Sequence, residues 1–296
     1  MQDRADLTRQ ASFALGGIGE SIPPVAAAFL TEQPMIIVGG TDAAGRIWSS
    51  QLVGDPGFLR VPDPRTLLVD ALPLAEDPLA EVLAGPATVG MIAIEPTSRR
   101  RMRINGRSTP TTGGLRVDLD QVISNCPKYI QKREFRFLSD SGSAPAPGGT
   151  RHVSRGTALT PAQQRTLRAT DTFFVASSDE SGNTDASHRG GNPGFVQVLS
   201  PSVMRWPDYV GNAMFLTLGN LELHPAAGLL VPGWDTGSSL HLTGAARTLW
   251  DADEIARVPG AQRLVEFTVT GVVEIADAVP LRWSAPNYSR FNPPVS

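Results

Sequence analysis

FFVASSDESGNTDASHRGGNPGFVQVLSP (Phe173 to Pro201) restates, without a gap, an earlier stretch of the same chain, IIVGGTDAAGRIWSSQLVGDPGFLRVPDP (Ile36 to Pro64). Ten of the 29 aligned positions are identical, including Asp42/Asp179, Gly45/Gly182, Ser50/Ser187 and the Pro-Gly-Phe run Pro56/Pro193, Gly57/Gly194 and Phe58/Phe195, all at an offset of 137. One register over so many positions is the signature of an internal duplication. A duplicated chain can fold as an intrachain pseudo-dimer, so the space between the halves is where a site is expected.

The repeat extends outward in both directions. Thr160-Pro161-Ala162-Gln163 reads as a helix start with Thr160 as N-cap, Pro161 at the first helical position and Gln163 closing a capping box, and Pro24 holds the same register. A helix is expected through PVAAAFLTEQ in the first half and PAQQRTLRAT in the second. Each is followed by an apolar strand, a Gly-containing turn, a second strand and the PGF strand. Further on, Gly90-Met91-Ile92-Ala93 matches Gly228-Leu229-Leu230-Val231, and Asn105-Gly106 matches Thr243-Gly244, now at an offset of 138. Between these blocks a second helix is expected in each half: DPLAEVLAG with Asp77 as N-cap, and GNAMFLTLGNLEL, ended by Pro225, with Met214, Leu218 and Leu221 on one face.

SDSGSAPAPGGT (Ser139 to Thr150) is rich in small residues and proline and has no apolar period, so it reads as a linker. The expected organisation is a first, degenerate half over residues 1–138, the linker over 139–150, and a second half over 151–296 that retains the site residues. About six strands and two small helices per half point to a mainly β fold, two split β-barrels in tandem with helical plugs.

Composition agrees with that class. Glycine (29) and proline (25) are plentiful and aromatic residues are 6%, as expected for short strands joined by tight turns. A net charge of −3 gives no global pull toward nucleic acid or an anionic membrane. The single cysteine, Cys126, excludes an internal disulfide, and His152, His188, His224 and His241 lack metal-binding spacing. The polar amino terminus MQDRADLTRQASF has no apolar run, and the expectation is a soluble cytoplasmic protein.

Candidate chemistry concentrates in the second copy. In TDASHRGG the period of two puts Asp185, Ser187 and Arg189 on one face and His188 on the other, and the Gly190-Gly191 pair permits close approach of a ligand or backbone. The first half offers Trp48, Ser50 and Leu52 instead, so the cation is lost there. An ion pair of Arg189 with Asp185 at the surface is the alternative reading. Asn212, Thr217 and Asn220 add hydrogen-bonding groups beside the apolar helix face; capping by Asn212 and a bond from Thr217 to the preceding turn are their local alternatives. NCPKYIQKR brings Cys126, Lys128 and Tyr129 from the first half, with a packing role the default for Cys126. The run Arg99-Arg100-Arg101 with Arg103 reads as a solvated hairpin turn, contact with a phosphate being the lesser option. There is no GxGxxG after a strand, no GxxxxGK[ST] and no GxSxG.

Taken together, DASHRGGNPGFVQVL, WPDYVGNAMFLTLGNLELHPAAGLLV, LHLTGAA and NCPKYIQKR resemble the pyridoxamine 5′-phosphate oxidase-like, FMN-binding split-barrel families, in particular a duplicated pyridoxamine 5′-phosphate oxidase-related branch. The resemblance runs over roughly residues 20 to 285 and is stronger in the second half. It implies a flavin between two barrels. Ser187, His188 and Arg189 match the strand lining the ring, and Asn212, Thr217 and Asn220 match the segment near the phosphate. Cys126, Lys128 and Tyr129 would reach across from the first half. The implied activity is an FMN-dependent oxidoreductase acting on a small molecule at one site, as a monomeric pseudo-dimer or a homodimer. His188 is the candidate for a catalytic proton donor. The alternatives are use of the deazaflavin F420 and a non-catalytic ligand-binding or scaffold protein. The tail LRWSAPNYSRFNPP departs from the oxidase's Arg-Leu-x-Pro ending, which argues against pyridoxine phosphate as the substrate.

Overall fold

The computed structural model describes residues 17–124, 126–138, 151–211 and 214–295. The proposed linker therefore lies outside the described residues, as does Asn212. In the first half, β1 (Ile18–Gly19), β2 (Met35–Thr41), β3 (Ile47–Val53), β4 (Leu59–Asp63), β5 (Thr66–Val69), β6 (Ala87–Glu95), β7 (Arg100–Thr111) and β8 (Gly114–Ser124) form one antiparallel sheet in the order β3-β2-β6-β7-β8-β5-β4, with β1 added to β8. After the short β9 (Phe135–Phe137), the second half repeats it with β10 (Val153–Gly156), β11 (Thr172–Ser178), β12 (Thr184–Gly190), β13 (Gln197–Ser200), β14 (Val203–Tyr209), β15 (Ala226–Pro232), β16 (Ser239–Leu249) and β17 (Ala261–Ile275). The order is β12-β11-β15-β16-β17-β14-β13 with β10 added to β17, element for element the same. The fold is thus mainly β, a tandem of split barrels, with eight strands per half where about six were expected.

The helices are α1 (Pro24–Thr31), α2 (Ala80–Leu83), α3 (Pro161–Ala169), α4 (Leu216–Leu223) and α5 (Ala252–Ala256). At α3 the capping box forms as read from the sequence: Thr160 Oγ1 accepts from Gln163 N, and Gln163 Oε1 accepts from Thr160 N. At α2 the expectation is corrected. Leu79 is the N-cap, and Asp77, two residues ahead of that cap, bonds Leu79 N and the Ser50 hydroxyl instead. The helix expected from GNAMFLTLGNLEL begins only at Leu216, with Phe215 at its cap, so Leu218 and Leu221 share its buried face while Met214 precedes it.

The apolar strands β2 and β11 read as continuous because both of their faces are covered. Ile36 and Val38 point into the first barrel's core, Phe173 and Val175 into the second's. The alternate residues Met35, Ile37 and Phe174 join Ile92, Ile94, Ala186 and Leu230 in a third cluster between the halves. Their approach is close enough to require glycine. A Cβ at Gly90 would lie 2.4 Å from the Asp185 Cα, and one at Gly228 would lie 2.6 Å from the Trp48 Cα. Gly90 and Gly228 are equivalent in the duplication, as are Trp48 and Asp185, so this is one contact made twice about a pseudo-twofold axis.

The halves are also laced by the chain end. β9 pairs with β18 (Leu281–Trp283), and Arg133 of the first half makes a buried ion pair with Asp171 of the second at 2.6 Å.

Candidate functional site

Strand β7 alternates strictly. Met102 and Ile104 enter the first barrel's core, which turns Arg101 and Arg103 to the opposite face, toward β12 of the other half. Arg103 donates from Nη1 to Asp185 Oδ2 at 2.8 Å and from Nη2 to Ser187 Oγ at 2.7 Å. Arg101 Nη1 lies 2.9 Å from His188 Nδ1. Arg189 Nη1 donates to the same Ser187 Oγ at 2.6 Å, and Thr217 Oγ1 donates to Asp185 Oδ2 at 3.2 Å.

These residues border a cavity between the halves. Its lining includes Arg101, Arg103, Cys126, Lys128 and Tyr129 from the first half and His188, Arg189, Asp208 and Thr217 from the second. Three guanidiniums meet here with only two carboxylates, Asp185 and Asp208, and Asp208 is shared with Arg263 at 3.2 Å. The Nε atoms of Arg101, Arg103 and Arg189 are buried without a hydrogen-bond partner, as is Asp185 Oδ1. Buried charge is ordinarily balanced, and an excess of guanidiniums over carboxylates on a cavity wall is an arrangement that suits an anionic ligand.

The electrostatics follow from this crowding. Burial, with Arg103 and Arg189 alongside, pushes the Arg101 pKa down to about 9. Burial likewise lowers that of Arg189. His188 is held well below 6.5 by burial and then by Arg101, Arg189 and Arg103, so it is neutral. Because a guanidinium only donates, Nδ1 of His188 is the acceptor and its proton is on Nε2, which is buried with no partner. A neutral imidazole ringed by cations is poorly suited to hold the second proton a general acid needs. Burial raises the Asp208 pKa, against the lowering influence of Arg189 and Arg263.

Two strained residues shape the wall. Tyr129 (φ 67°) and Phe215 (φ 55°) adopt left-handed backbone, uncommon for aromatic side chains and found where surrounding structure enforces it. Tyr129 donates its hydroxyl to Val210 O at 3.0 Å, and its ring centroid lies 5.1 Å from that of Tyr209. Gly190 has the backbone contact that its position suggested, since a Cβ there would lie 2.0 Å from Tyr129 O.

Of the residues singled out in the sequence, Cys126, Lys128, Tyr129, His188, Arg189 and Thr217 border the cavity. Ser187 lies beneath it, fully buried as the shared acceptor of Arg103 and Arg189. Asn220 is elsewhere, donating to Ser177 Oγ at 3.1 Å, and Asn212 lies outside the described residues. Thr217 bonds Asp185 and does not back-bond its own turn. The surface pairing of Arg189 with Asp185 is also corrected, because Asp185 pairs with Arg103 across the halves. Cys126 is half-buried on the cavity wall and not a core side chain. The largest revision concerns the arginine run: Arg99 lies in the turn and Arg100 opens β7, whereas Arg101 and Arg103 border the cavity. Their alternation with Met102 and Ile104 was the available signal.

The duplication places an equivalent location on the other side of the axis, where the same contacts recur with other chemistry. Ser239 and His241 stand for Arg101 and Arg103, and Gln51 and Leu52 for His188 and Arg189. Gln51 Nε2 donates to Ser239 Oγ at 2.7 Å where His188 met Arg101. His241 Nδ1 lies 2.9 Å from Ser49 O. Trp48, in place of Asp185, is 3% exposed within the first barrel's apolar cluster, which also recruits Val273 and Ile275 from the second half. This location holds no guanidinium among these equivalents and is packed with side chains.

No protein-family profile matches the chain, and no curated protein matches it. Solved structures match it in part. They include a proposed pyridoxamine 5′-phosphate oxidase from Lactobacillus delbrueckii (19% identity, 39% of this chain and 93% of that one, TM-score 0.32). An FMN-binding protein from Syntrophomonas wolfei is similar at 9% identity over 38% of this chain and 84% of its own, TM-score 0.30. A FAD-binding protein from Mycobacterium smegmatis is similar at 11% identity over 41% and 99%, TM-score 0.29. Each match takes in most of the other protein and about two fifths of this chain. Among the described residues no helix is long and apolar enough to cross a membrane, and no cluster of metal-ligating side chains occurs.

Proposed function

We propose that this protein is a flavin-dependent oxidoreductase that holds one FMN between its halves and acts on a small molecule. The observation that carries the reading is the group formed by Arg101, Arg103 and Arg189, three guanidinium side chains bordering a cavity lined by both halves, with only Asp185 and Asp208 beside them. Those donors suit a phosphate, or the negative charge of a reduced flavin ring, with Lys128 as a further cation. The Tyr129 ring and the polar side chains of His188 and Thr217 on the same cavity suit a planar ligand with a polar edge. Bound flavin supplies two-electron redox chemistry, and the protein supplies orientation and electrostatics. The neighbours that bind FMN or FAD support a flavin.

The packed state of the equivalent location supports one cofactor per chain. The spectrum of the purified protein between 350 and 500 nm, roughly the range of flavin absorption, together with FMN titration followed by thermal unfolding, tests the proposal. Flavin absorbance, or a rise in melting temperature saturating at one FMN per chain, is expected. A colourless protein that releases no flavin on denaturation and gains no stability from FMN would overturn it, and a parallel F420 titration separates the two cofactors. The second reading, ligand binding without catalysis, draws on His188, since the histidine at the cavity is not a ready proton donor. Bound FMN that no reductant can reduce would favour it.

A further inference from the structure

The cavity wall that carries Cys126, Lys128 and Tyr129 sits on a loop, and one buried side chain behind that loop ties it to two other segments at once. Gln131 is 2% exposed. Its Nε2 donates to Tyr129 O at 3.1 Å in the same loop and to Gly191 O at 3.2 Å in the second half. Its Oε1 accepts from Ser289 N at 2.8 Å and from Asn292 Nδ2 at 3.0 Å in the C-terminal segment. We propose that Gln131 is the positioning residue of this cavity, clasping the C-terminal segment to the loop so that residues 287–292, which do not border the cavity, fix where Tyr129 and Lys128 stand at the ligand.

The chemistry of the contact favours an amide. Two carbonyl oxygens face its two N–H donors, and two N–H donors face its one oxygen, so all four of its hydrogen-bonding positions are used. Glutamate would set negative charge against the two carbonyls, and a hydrocarbon would leave four groups unpaired. The clasp is closed on each side. Asn192, beside Gly191, accepts from Asn292 Nδ2 at 3.0 Å and donates to Pro293 O at 3.1 Å. Arg99, itself in left-handed backbone (φ 59°), donates to Ile130 O at 2.8 Å and to Asn287 O at 3.1 Å, and Lys132 exchanges backbone bonds with Asn287. The strained Tyr129 backbone is the expected accompaniment, because such a conformation persists only where its surroundings over-determine it.

As it concerns the ligand, this inference rests on the flavin reading; as it concerns the clasp, it is testable without one. In the full chain, Gln131→Glu removes the paired donors toward Tyr129 and Gly191, and Asn292→Ala loosens only the C-terminal side. Amide hydrogen exchange of the free protein is expected to show residues 126–133 and 287–292 losing protection together in both variants. FMN affinity, measured well below the unfolding transition, is expected to fall about tenfold in Gln131→Glu and less in Asn292→Ala. Exchange confined to one segment, or FMN affinity equal to wild type in Gln131→Glu while Arg189→Ala loses it, would overturn the proposal. If the wild-type chain binds no FMN, the flavin reading fails and the exchange experiment alone decides the clasp.

Discussion

Gly39 and Ala176 are equivalent positions of the duplication, and each is the other's neighbour: a Cβ at Gly39 would lie 2.5 Å from the Ala176 Cβ. Only residues beside a twofold axis meet their own counterparts, so the axis passes between β2 and β11. The pair has room for one methyl group. Gly39→Ala is expected to destabilise the protein by about 1–3 kcal/mol through overpacking, and Gly39→Ala with Ala176→Gly, which moves the methyl across the axis, is expected to recover most of it. Urea unfolding of the four members of that cycle measures the coupling.

Arg103 and Asp185 join the halves through charge. Asp185 is 4% exposed, and Arg103→Leu would leave its carboxylate buried with Thr217 as its remaining hydrogen-bond partner. A loss of about 3–5 kcal/mol is expected. Adding Asp185→Leu is expected to restore much of it, because a buried pair replaced by apolar side chains is often neutral. Denaturant midpoints of the single and double variants check the sign.

Arg189→Ala addresses binding. If a phosphate or ring anion meets this guanidinium, FMN affinity falls by about ten- to a hundredfold, the scale of a lost charge-assisted hydrogen bond. Leu52→Ala, at the equivalent position of the packed location, is expected to leave FMN affinity unchanged. Fluorescence titration of both variants makes the comparison.

His188 predicts how stability varies with pH. Above about pH 6.5 the imidazole is neutral in both folded and unfolded chains and contributes nothing to the difference. Below it the unfolded chain binds a proton that the folded site refuses, because burial and the three arginines hold the folded value down. Stability therefore falls as pH drops from about 6.5 toward that value, by up to about 1.4 kcal/mol per pH unit for this one proton. His188→Gln is expected to flatten the slope in urea unfolding below about pH 6.5.

The fold was legible because the duplication is written in turn and strand residues: Asp42 and Asp179 each open a hairpin turn, and the Thr160 box caps its helix. The site was legible on β12, where local alternation marks a face. It was not legible on β7 or β14. Arg101 and Arg103 look like a charged turn until Ile92 and Ile94, their register partners, are known to face the other half. Asp208 turns toward the cavity where the β14 and β17 register shifts between Asp208 and Tyr209, a change of pairing that no run of residue types announces. Gln131 joins three distant segments, and a lone glutamine in a sequence carries no mark of that.

The two copies being one chain has a consequence for change over time. In a homodimer, tryptophan in place of the aspartate that pairs with Arg103 would enter both sites together and abolish both. Here Trp48 and Asp185 occupy equivalent positions in one molecule and differ freely. Within one chain the two equivalent locations can differ, one filled by Trp48 in an apolar core and the other charged at Asp185. A single chain also makes the remaining cavity independent of protein concentration, since dilution cannot part walls that one backbone joins.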